Sequence, residues 1–144
     1  MAERAWASVA TPNRQDARVS IWTPDGAPRA VVQIFHGMAE HIDRYDRAAQ
    51  ELNRLGYAVA GHNHRGHGPE TPDDQLGYFY AEDGWRKIME DGHAVSEYLR
   101  RRFPGLPLVL LGHSMGSFMA RDYIMRYPGE PNALIISGTG WDSP

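Results

Sequence analysis

The chain has 144 residues, 42% of them hydrophobic and 23% charged, values that are ordinary for one globular domain with a sizeable core. Its formal net charge of −3 gives no electrostatic reason to expect nucleic acid as a partner, and the absence of cysteine excludes disulfides and thiolate metal sites. Since we find neither an apolar signal region nor a run approaching the roughly 20 residues of a membrane-spanning helix, we expect a cytoplasmic protein without an integral membrane segment.

Apolar runs separated by turn-forming residues predict six strands and three helices. In chain order these are strands at 6–9, 18–22 and 30–35, a helix at 44–55, a strand at 57–60, a helix at 82–102, a strand at 108–111, a helix at 115–127 and a strand at 133–137. Strands that alternate with helices predict a largely parallel sheet with helices on both faces. The loops that follow the third, fourth and fifth strands should then meet at one edge of the sheet, where ligands bind.

The fifth predicted strand leads into Gly112-His113-Ser114-Met115-Gly116, and a helical pattern follows at once. This strand–turn–helix context is the one in which G-x-S-x-G forms a nucleophile elbow. A serine at so sharp a turn must hold a strained backbone, and a side chain at either glycine would crowd the neighbouring strand or helix. The pattern predicts Ser114 as an exposed nucleophile and the Met115 N–H, at a helix N-terminus, as an oxyanion donor.

His36-Gly37-Met38 directly follows the third predicted strand. A His-Gly loop in this place can aim a backbone N–H towards the serine, and we assign this second oxyanion donor to Met38. The imidazole of His36 is expected to brace the loop through hydrogen bonds. Glu40 and Arg44 are four residues apart and could form an ion pair that positions the loop.

A second histidine pattern follows the fourth predicted strand. The spacing of His62, His64 and His67 resembles the metal-binding tract of the metallo-β-lactamase fold. That tract carries an aspartate where this chain has Gly66, and no histidine follows His113 to complete a two-metal site. We interpret the three residues as structural histidines of a tight turn, with a metal-dependent hydrolase as an alternative.

Together these motifs resemble the monoacylglycerol lipase/lysophospholipase group (serine aminopeptidase S33-like) of the α/β-hydrolases. The matching segments are 36–41 with Arg44 and Tyr45, then 64–68, then 112–116. The resemblance implies an α/β-hydrolase fold, no cofactor, and esterase chemistry on lipid-like esters through an acyl-enzyme. It makes Ser114 the nucleophile and the N–H groups of Met38 and Met115 the oxyanion hole. Asn63 departs from the pattern, which usually has aspartate there, and we interpret it as a change in turn bracing.

The triad acid and base are not evident in the chain. In α/β-hydrolases the triad follows the order Ser, Asp or Glu, His. After Ser114 the chain offers Asp122, inside the predicted elbow helix, Asp142, and no histidine. His113 and His36 are the histidines nearest to the serine by topology, but neither holds a position known to supply the base.

The length leads to a further expectation about partners. Residues 1–144 should form a single partial core domain, the N-terminal part of such an enzyme, truncated before the cap and the last two strands. The strand at 133–137 would then be an exposed apolar edge, which invites pairing with a second copy or with a complementary C-terminal segment. A non-catalytic binding or assembly module on a hydrolase scaffold is the alternative function.

Overall fold

A computed structural model describes residues 3–141, so that Asp142 lies outside the described residues. The strands and helices are β1 (Glu3–Val9), β2 (Ala17–Thr23), β3 (Val31–Phe35), α1 (Asp46–Arg54), β4 (Ala58–His62), α2 (Gly84–Arg102), β5 (Leu108–His113), α3 (Met115–Arg126) and β6 (Ala133–Ser137). Short 3₁₀ turns lie at Ile42–Tyr45 and Asp73–Gln75. Every strand and helix predicted from the sequence is confirmed, with boundaries that differ by at most three residues.

The six strands form one sheet in the order β1-β2-β4-β3-β5-β6. β1 and β2 are antiparallel to each other, and β2 is antiparallel to β4. β4, β3, β5 and β6 are mutually parallel. The prediction of a largely parallel sheet is therefore confirmed, with an antiparallel hairpin at one edge.

Helices cover both faces of this sheet, and the alternation of side chains along β3 shows how. Val32 and Ile34 point to one face, where they pack in a cluster with Ala49 of α1. Val31 and Phe35 point to the other face and join the clusters that α2 and α3 contribute to. All of β3 is buried, Gln33 included, as expected of a strand covered on both faces.

The first helix differs in detail from its prediction. A 3₁₀ turn at Ile42–Tyr45 precedes it, and Ala48, which helical spacing from Tyr45 and Leu52 would place on the same face as those two side chains, is exposed. Asn53 is buried instead. Its amide nitrogen donates to the carbonyl oxygens of Trp22 at 3.1 Å and Tyr57 at 2.8 Å, so both donor hydrogens are satisfied in the buried site.

β6 lies at one edge of the sheet and leaves large apolar side chains exposed. It pairs with β5 on one side, and among the described residues no strand pairs with its other side. Ile135 and Ile136, which point to opposite faces, are 48% and 41% exposed. The expected apolar edge is confirmed. No helix of the described part is both long and apolar enough to cross a bilayer.

Candidate active site

The loops that follow β3, β4 and β5 meet at the carboxyl edge of the sheet, as the sequence predicted. The loop after β3 (residues 36–45, the β3 loop) lies against the elbow, since a Cβ at Gly37 would stand 3.2 Å from the Ser114 Cβ. The loop after β4 (residues 63–72, the β4 loop) lies against the β3 loop, where the ring centroids of His36 and His64 are 3.9 Å apart. The β3 loop therefore lies against the serine, and the β4 loop packs against the β3 loop.

Ser114 holds the strained backbone that the elbow pattern predicts. Its φ of 54° and ψ of −119° lie where non-glycine residues are rarely found. The strain is balanced by hydrogen bonds: the Ser114 N–H donates to Ser137 O at 2.9 Å, and Ser117 donates its N–H and its hydroxyl to Ser114 O at 2.9 and 2.6 Å. The residue is held at the turn and is itself exposed.

Both elbow glycines are required by close packing. A Cβ at Gly112 would overlap the Gly116 carbonyl, and a Cβ at Gly116 would overlap the carbonyl oxygen of Phe35 at the end of β3. The predicted crowding is therefore confirmed. It brings the first turn of α3 directly against β3, and so brings the helix N-terminus against the β3 loop.

The two predicted oxyanion donors lie on either side of this contact. Met115 is the first residue of α3, so its N–H belongs to the turn whose donors have no acceptor within the helix. Met38 lies between Gly37, which approaches Ser114, and Ala39, whose φ of 59° turns the chain. The placement of both residues fits the assignment, and their role as donors stays a prediction.

His36 braces the β3 loop. Its Nε2 accepts the His64 backbone N–H at 3.1 Å, so this nitrogen carries no proton, and Nδ1 donates to the Gly37 carbonyl at 2.7 Å. Burial is the main cause that lowers the pKa of His36 to about 4, which keeps the ring neutral at pH 7. Because both nitrogens are engaged, His36 is not placed to act as the base.

Glu40 holds the β3 loop through its side-chain carboxylate. Its Oε1 accepts the Gly37 N–H at 2.5 Å and the Tyr45 hydroxyl at 2.6 Å, and its Oε2 lies 3.2 Å from the Arg44 guanidinium. Burial alone would raise the pKa of Glu40, but these hydrogen bonds outweigh it and hold the pKa below its ordinary value. The expected ion pair with Arg44 is present. The hydrogen bond from Tyr45 to Glu40 was not predicted from the four-residue spacing of Glu40 and Arg44, although Tyr45 belongs to the family motif quoted above.

Removing the Tyr45 hydroxyl should loosen this anchor. We expect Tyr45→Phe to lower the free energy of unfolding by about 1–2 kcal/mol, because a hydrogen bond to a largely buried carboxylate is lost. The same change should raise the pKa of Glu40, which a carbon-detected NMR titration of the carboxyl measures.

Tyr98→Phe is the matched control, since the structure gives the Tyr98 hydroxyl no hydrogen bond to any described residue. Urea unfolding of this control should match the wild type within about 0.5 kcal/mol. Equal effects of the two substitutions on stability, or an unchanged Glu40 titration in Tyr45→Phe, would contradict the anchor.

The described residues do not complete a triad. The Nδ1 of His113 lies 3.2 Å from the Ser137 hydroxyl, and the hydrogen bonds of residues 3–141 include none between a histidine and the Ser114 hydroxyl. Of the two acids that follow Ser114 in the described range, Asp122 accepts the indole N–H of Trp85 at 2.7 Å on the outside of α3, and Glu130 pairs with Arg100 at 2.8 Å. None of these side chains is in a place to activate Ser114.

The histidines at the end of β4 and in the β4 loop pack inside the protein. His62, His64 and His67 are 1%, 1% and 4% exposed. His64 donates from Nε2 to the His36 carbonyl at 2.9 Å, and the His62 ring packs edge-on against Phe35 at 6.3 Å. Within residues 3–141 no three histidine, aspartate or glutamate side chains are grouped so that they could hold a metal ion. The three histidines of the metal-site alternative therefore do not form a ligand cluster in the part of the chain that the structure describes.

A cavity of about 500 Å³ opens between the β3 and β4 loops. Its walls are mostly apolar, and it is lined by Met38, Ala39, Glu40, His41, Gly66, His67, Gly68, Leu76 and Gly77. Its position beside Met38 puts room for a small apolar group next to the predicted oxyanion donor.

The chain is similar in sequence to known lipases. A monoacylglycerol lipase of Mycolicibacterium smegmatis is 38% identical over 118 residues, which are 82% of this chain and 40% of that protein. The human monoglyceride lipase is 31% identical over 122 residues, 80% of this chain and 36% of that protein. The chain thus spans about 40% of the length of these relatives.

Structural and family comparisons agree. A carboxyl esterase of Bacillus coagulans, solved in complex with glycerol, superposes with a TM-score of 0.83 at 32% identity and covers 95% of this chain and 44% of that one. The family described as serine aminopeptidase, S33 matches residues 26–143. The chain has the α/β-hydrolase fold and belongs to the serine aminopeptidase S33 family, in the group that contains the monoacylglycerol lipases.

Proposed function

We propose that this chain is the nucleophile-bearing part of a serine ester hydrolase of the monoacylglycerol lipase/lysophospholipase type. The observation that supports this most is Ser114 itself, exposed on a strained turn between β5 and the N-terminus of α3 and facing the β3 loop. Strain of this kind is typical of residues that take part in a mechanism.

The mechanism that fits this site is acyl transfer in two steps. The Ser114 hydroxyl oxygen attacks the ester carbonyl as a base takes its proton, and the resulting oxyanion is held by the N–H groups of Met38 and Met115. Collapse of the tetrahedral intermediate breaks the ester bond, and the alcohol leaves with a proton from the base. Water then attacks the acyl-enzyme in the same way and releases the carboxylic acid.

We propose a lipid-like ester as substrate. Two relatives are named for hydrolysis of monoacylglycerols, and the B. coagulans esterase was solved with glycerol bound. The mostly apolar cavity beside Met38 is compatible with such an ester.

The base and acid are proposed to come from outside the described residues, in a complementary C-terminal segment that pairs with β6. Ser114 has no histidine partner within residues 3–141, and the relatives are more than twice as long. The open side of β6, with Ile135 and Ile136 exposed on both faces, could accept a further strand with its covering layers. Pairing with a second copy is the other outcome that a mass measurement of the assembly would reveal.

The test is covalent labelling with a fluorophosphonate, followed by intact-mass spectrometry. We expect slow labelling of the chain alone and labelling about a hundredfold faster when it is extended by the C-terminal part of the M. smegmatis relative, which restores a general base. Ser114→Ala should abolish the adduct in both. An adduct that survives in Ser114→Ala, or a folded extended chain that neither labels nor hydrolyses an ester, would overturn the proposal.

A non-catalytic module is the second candidate, favoured by the lack of a base near Ser114 in the described part of the chain. The same substitution separates the two functions. If the chain is a binding module, Ser114→Ala should leave its affinity for a fatty acyl ester unchanged, and wild-type protein should give no adduct.

A further inference from the structure

Asn63, the residue that departs from the family pattern, links the β3 loop to the β4 loop. Its side-chain oxygen accepts the Ile42 backbone N–H at 2.8 Å. Its side-chain nitrogen donates to both carboxylate oxygens of Glu70, at 2.9 and 3.2 Å. Both Asn63 and Ile42 are 1% exposed, so the hydrogen bond between them joins groups that water does not reach, whereas Glu70 is exposed.

The β4 loop is shaped around this contact. Gly68 has a φ of +94°, and a Cβ there would overlap the Asn63 amide and come within 2.9 Å of the Glu70 carboxylate. Thr71 closes the turn, since its N–H donates to Gly68 O at 3.1 Å and its hydroxyl to His67 O at 2.9 Å. The glycine and the closed turn together return Glu70 to the Asn63 side chain.

At its other end the contact fixes the β3 loop. Ile42 packs on Gly61, where any Cβ would overlap the isoleucine side chain. Glu40 holds the loop at the Gly37 N–H, and Asn63 holds it at the Ile42 N–H. Met38 lies between these two fixed amides, so its own N–H has its direction set by both.

We propose that Asn63 and Glu70 are a pair of positioning residues that holds the β3 loop, and with it the Met38 N–H, in place. The proposal rests on the proposed role of this N–H as an oxyanion donor. An amide offers two donor hydrogens and an acceptor, whereas a carboxylate only accepts. The contact therefore needs at least one amide to supply the donor hydrogen, and either position can supply it. An aspartate in place of Asn63 is incompatible with Glu70, because two carboxylates would face each other across 2.9 Å.

The experiment compares Asn63→Asp, Glu70→Gln and the double variant in the full chain. Hydrogen exchange of the Ile42 amide, followed by NMR, is the main measurement. Asn63→Asp should accelerate this exchange about tenfold or more and shift the Met38 amide resonance. Adding Glu70→Gln should return both toward the wild type, because the introduced glutamine amide then donates to the introduced aspartate carboxylate. Glu70→Gln alone should change little, since its oxygen still accepts from Asn63.

Glu70→Ala keeps the proposal testable if Asn63→Asp fails to fold. Glu70 is exposed, so its truncation should not prevent folding, yet Ile42 exchange should still accelerate several-fold although Glu70 does not touch Ile42. Gln15→Glu is the control for Asn63→Asp, because it adds the same negative charge at an exposed amide. It should leave the Ile42 amide unaffected.

Two results would overturn the pair. One is a double variant whose Ile42 exchange is no slower than that of Asn63→Asp, and the other is a Glu70→Ala variant whose Ile42 exchange equals that of the wild type. Neither readout depends on catalysis. Failure of the proposed function would appear instead as an unlabelled Ser114 in a chain whose Ile42 amide responds as expected.

Discussion

Gly116→Ala is expected to lower the free energy of unfolding by about 3 kcal/mol and the melting temperature by roughly 10 °C. A Cβ at this position would overlap the Phe35 carbonyl oxygen and lie 2.6 Å from that of His36. Both atoms belong to backbone at the end of β3, which is paired with β4 on one side and β5 on the other and has little freedom to move. Helix α3 must therefore shift outward, which would also displace the Met115 N–H.

Gly84→Ala is the matched control for this change. Gly84 is the first residue of α2, and the nearest atom to an added Cβ is a Phe79 side-chain carbon at 3.3 Å. Alanine is the better helix former by up to about 1 kcal/mol, so this variant should be as stable as the wild type or slightly more stable. Circular dichroism melts of Gly116→Ala and Gly84→Ala measure whether the loss of stability comes from the contact of α3 with β3. If they agree within about 2 °C, the close contact of α3 with β3 is not what holds the elbow.

The sequence predicted the parts of this site that depend on neighbouring residues. The Gly112–Gly116 pattern, read with the apolar strand before it and the helical period after it, was sufficient to place Ser114 on a strained turn at a helix N-terminus. The parallel sheet followed from the alternation of strands and helices, and with it the meeting of three loops at one edge. Local spacing and chain topology carry this information.

Pairings between distant residues could not be predicted in the same way. Gln33 interrupts an apolar strand in the sequence, yet it is fully buried because Ser96 and the Gly92 carbonyl satisfy its amide. Asn63 was interpreted as a change in turn bracing, but the residues next to it in the sequence do not indicate that its partner is the Ile42 N–H, 21 residues away. Periodicity identifies which face of an element is buried, whereas the partner of a buried polar group depends on the final packing.

Acid should destabilise the fold well before its carboxylates are protonated. Burial is the first cause that lowers the pKa of His36 to about 4 and that of His62 to about 3, and it holds the pKa of His64 well below 6.5. Neither ring nitrogen of His62 has a hydrogen-bond partner among the described residues. The rings of His36 and His62 are therefore neutral in the folded chain between pH 5 and 7, and burial favours the neutral form of His64 as well.

The direction of the effect follows from the protons bound in each state. Above pH 6.5 these histidines are neutral in the folded and the unfolded chain, so they add no pH dependence. Below 6.5 the unfolded chain binds protons that the folded chain excludes, and the free energy of unfolding falls until the pH reaches the lowered pKa values. At pH 5 the loss is about 2 kcal/mol each for His36 and His62, a large share of the 5–15 kcal/mol that is typical of a domain, and His64 contributes in the same direction.

Urea unfolding at pH 7, 6 and 5 measures this loss, and His62→Leu isolates one contribution to it. Leucine has a similar volume, does not titrate and replaces a ring whose nitrogens are unpaired among residues 3–141. Between pH 6 and 5 the stability of His62→Leu should fall less steeply than that of the wild type, by about 1.4 kcal/mol per pH unit, which corresponds to one proton. Parallel curves for the two proteins would mean that His62 takes up its proton in the folded state, and the buried neutral ring would then be the wrong description of this end of β4.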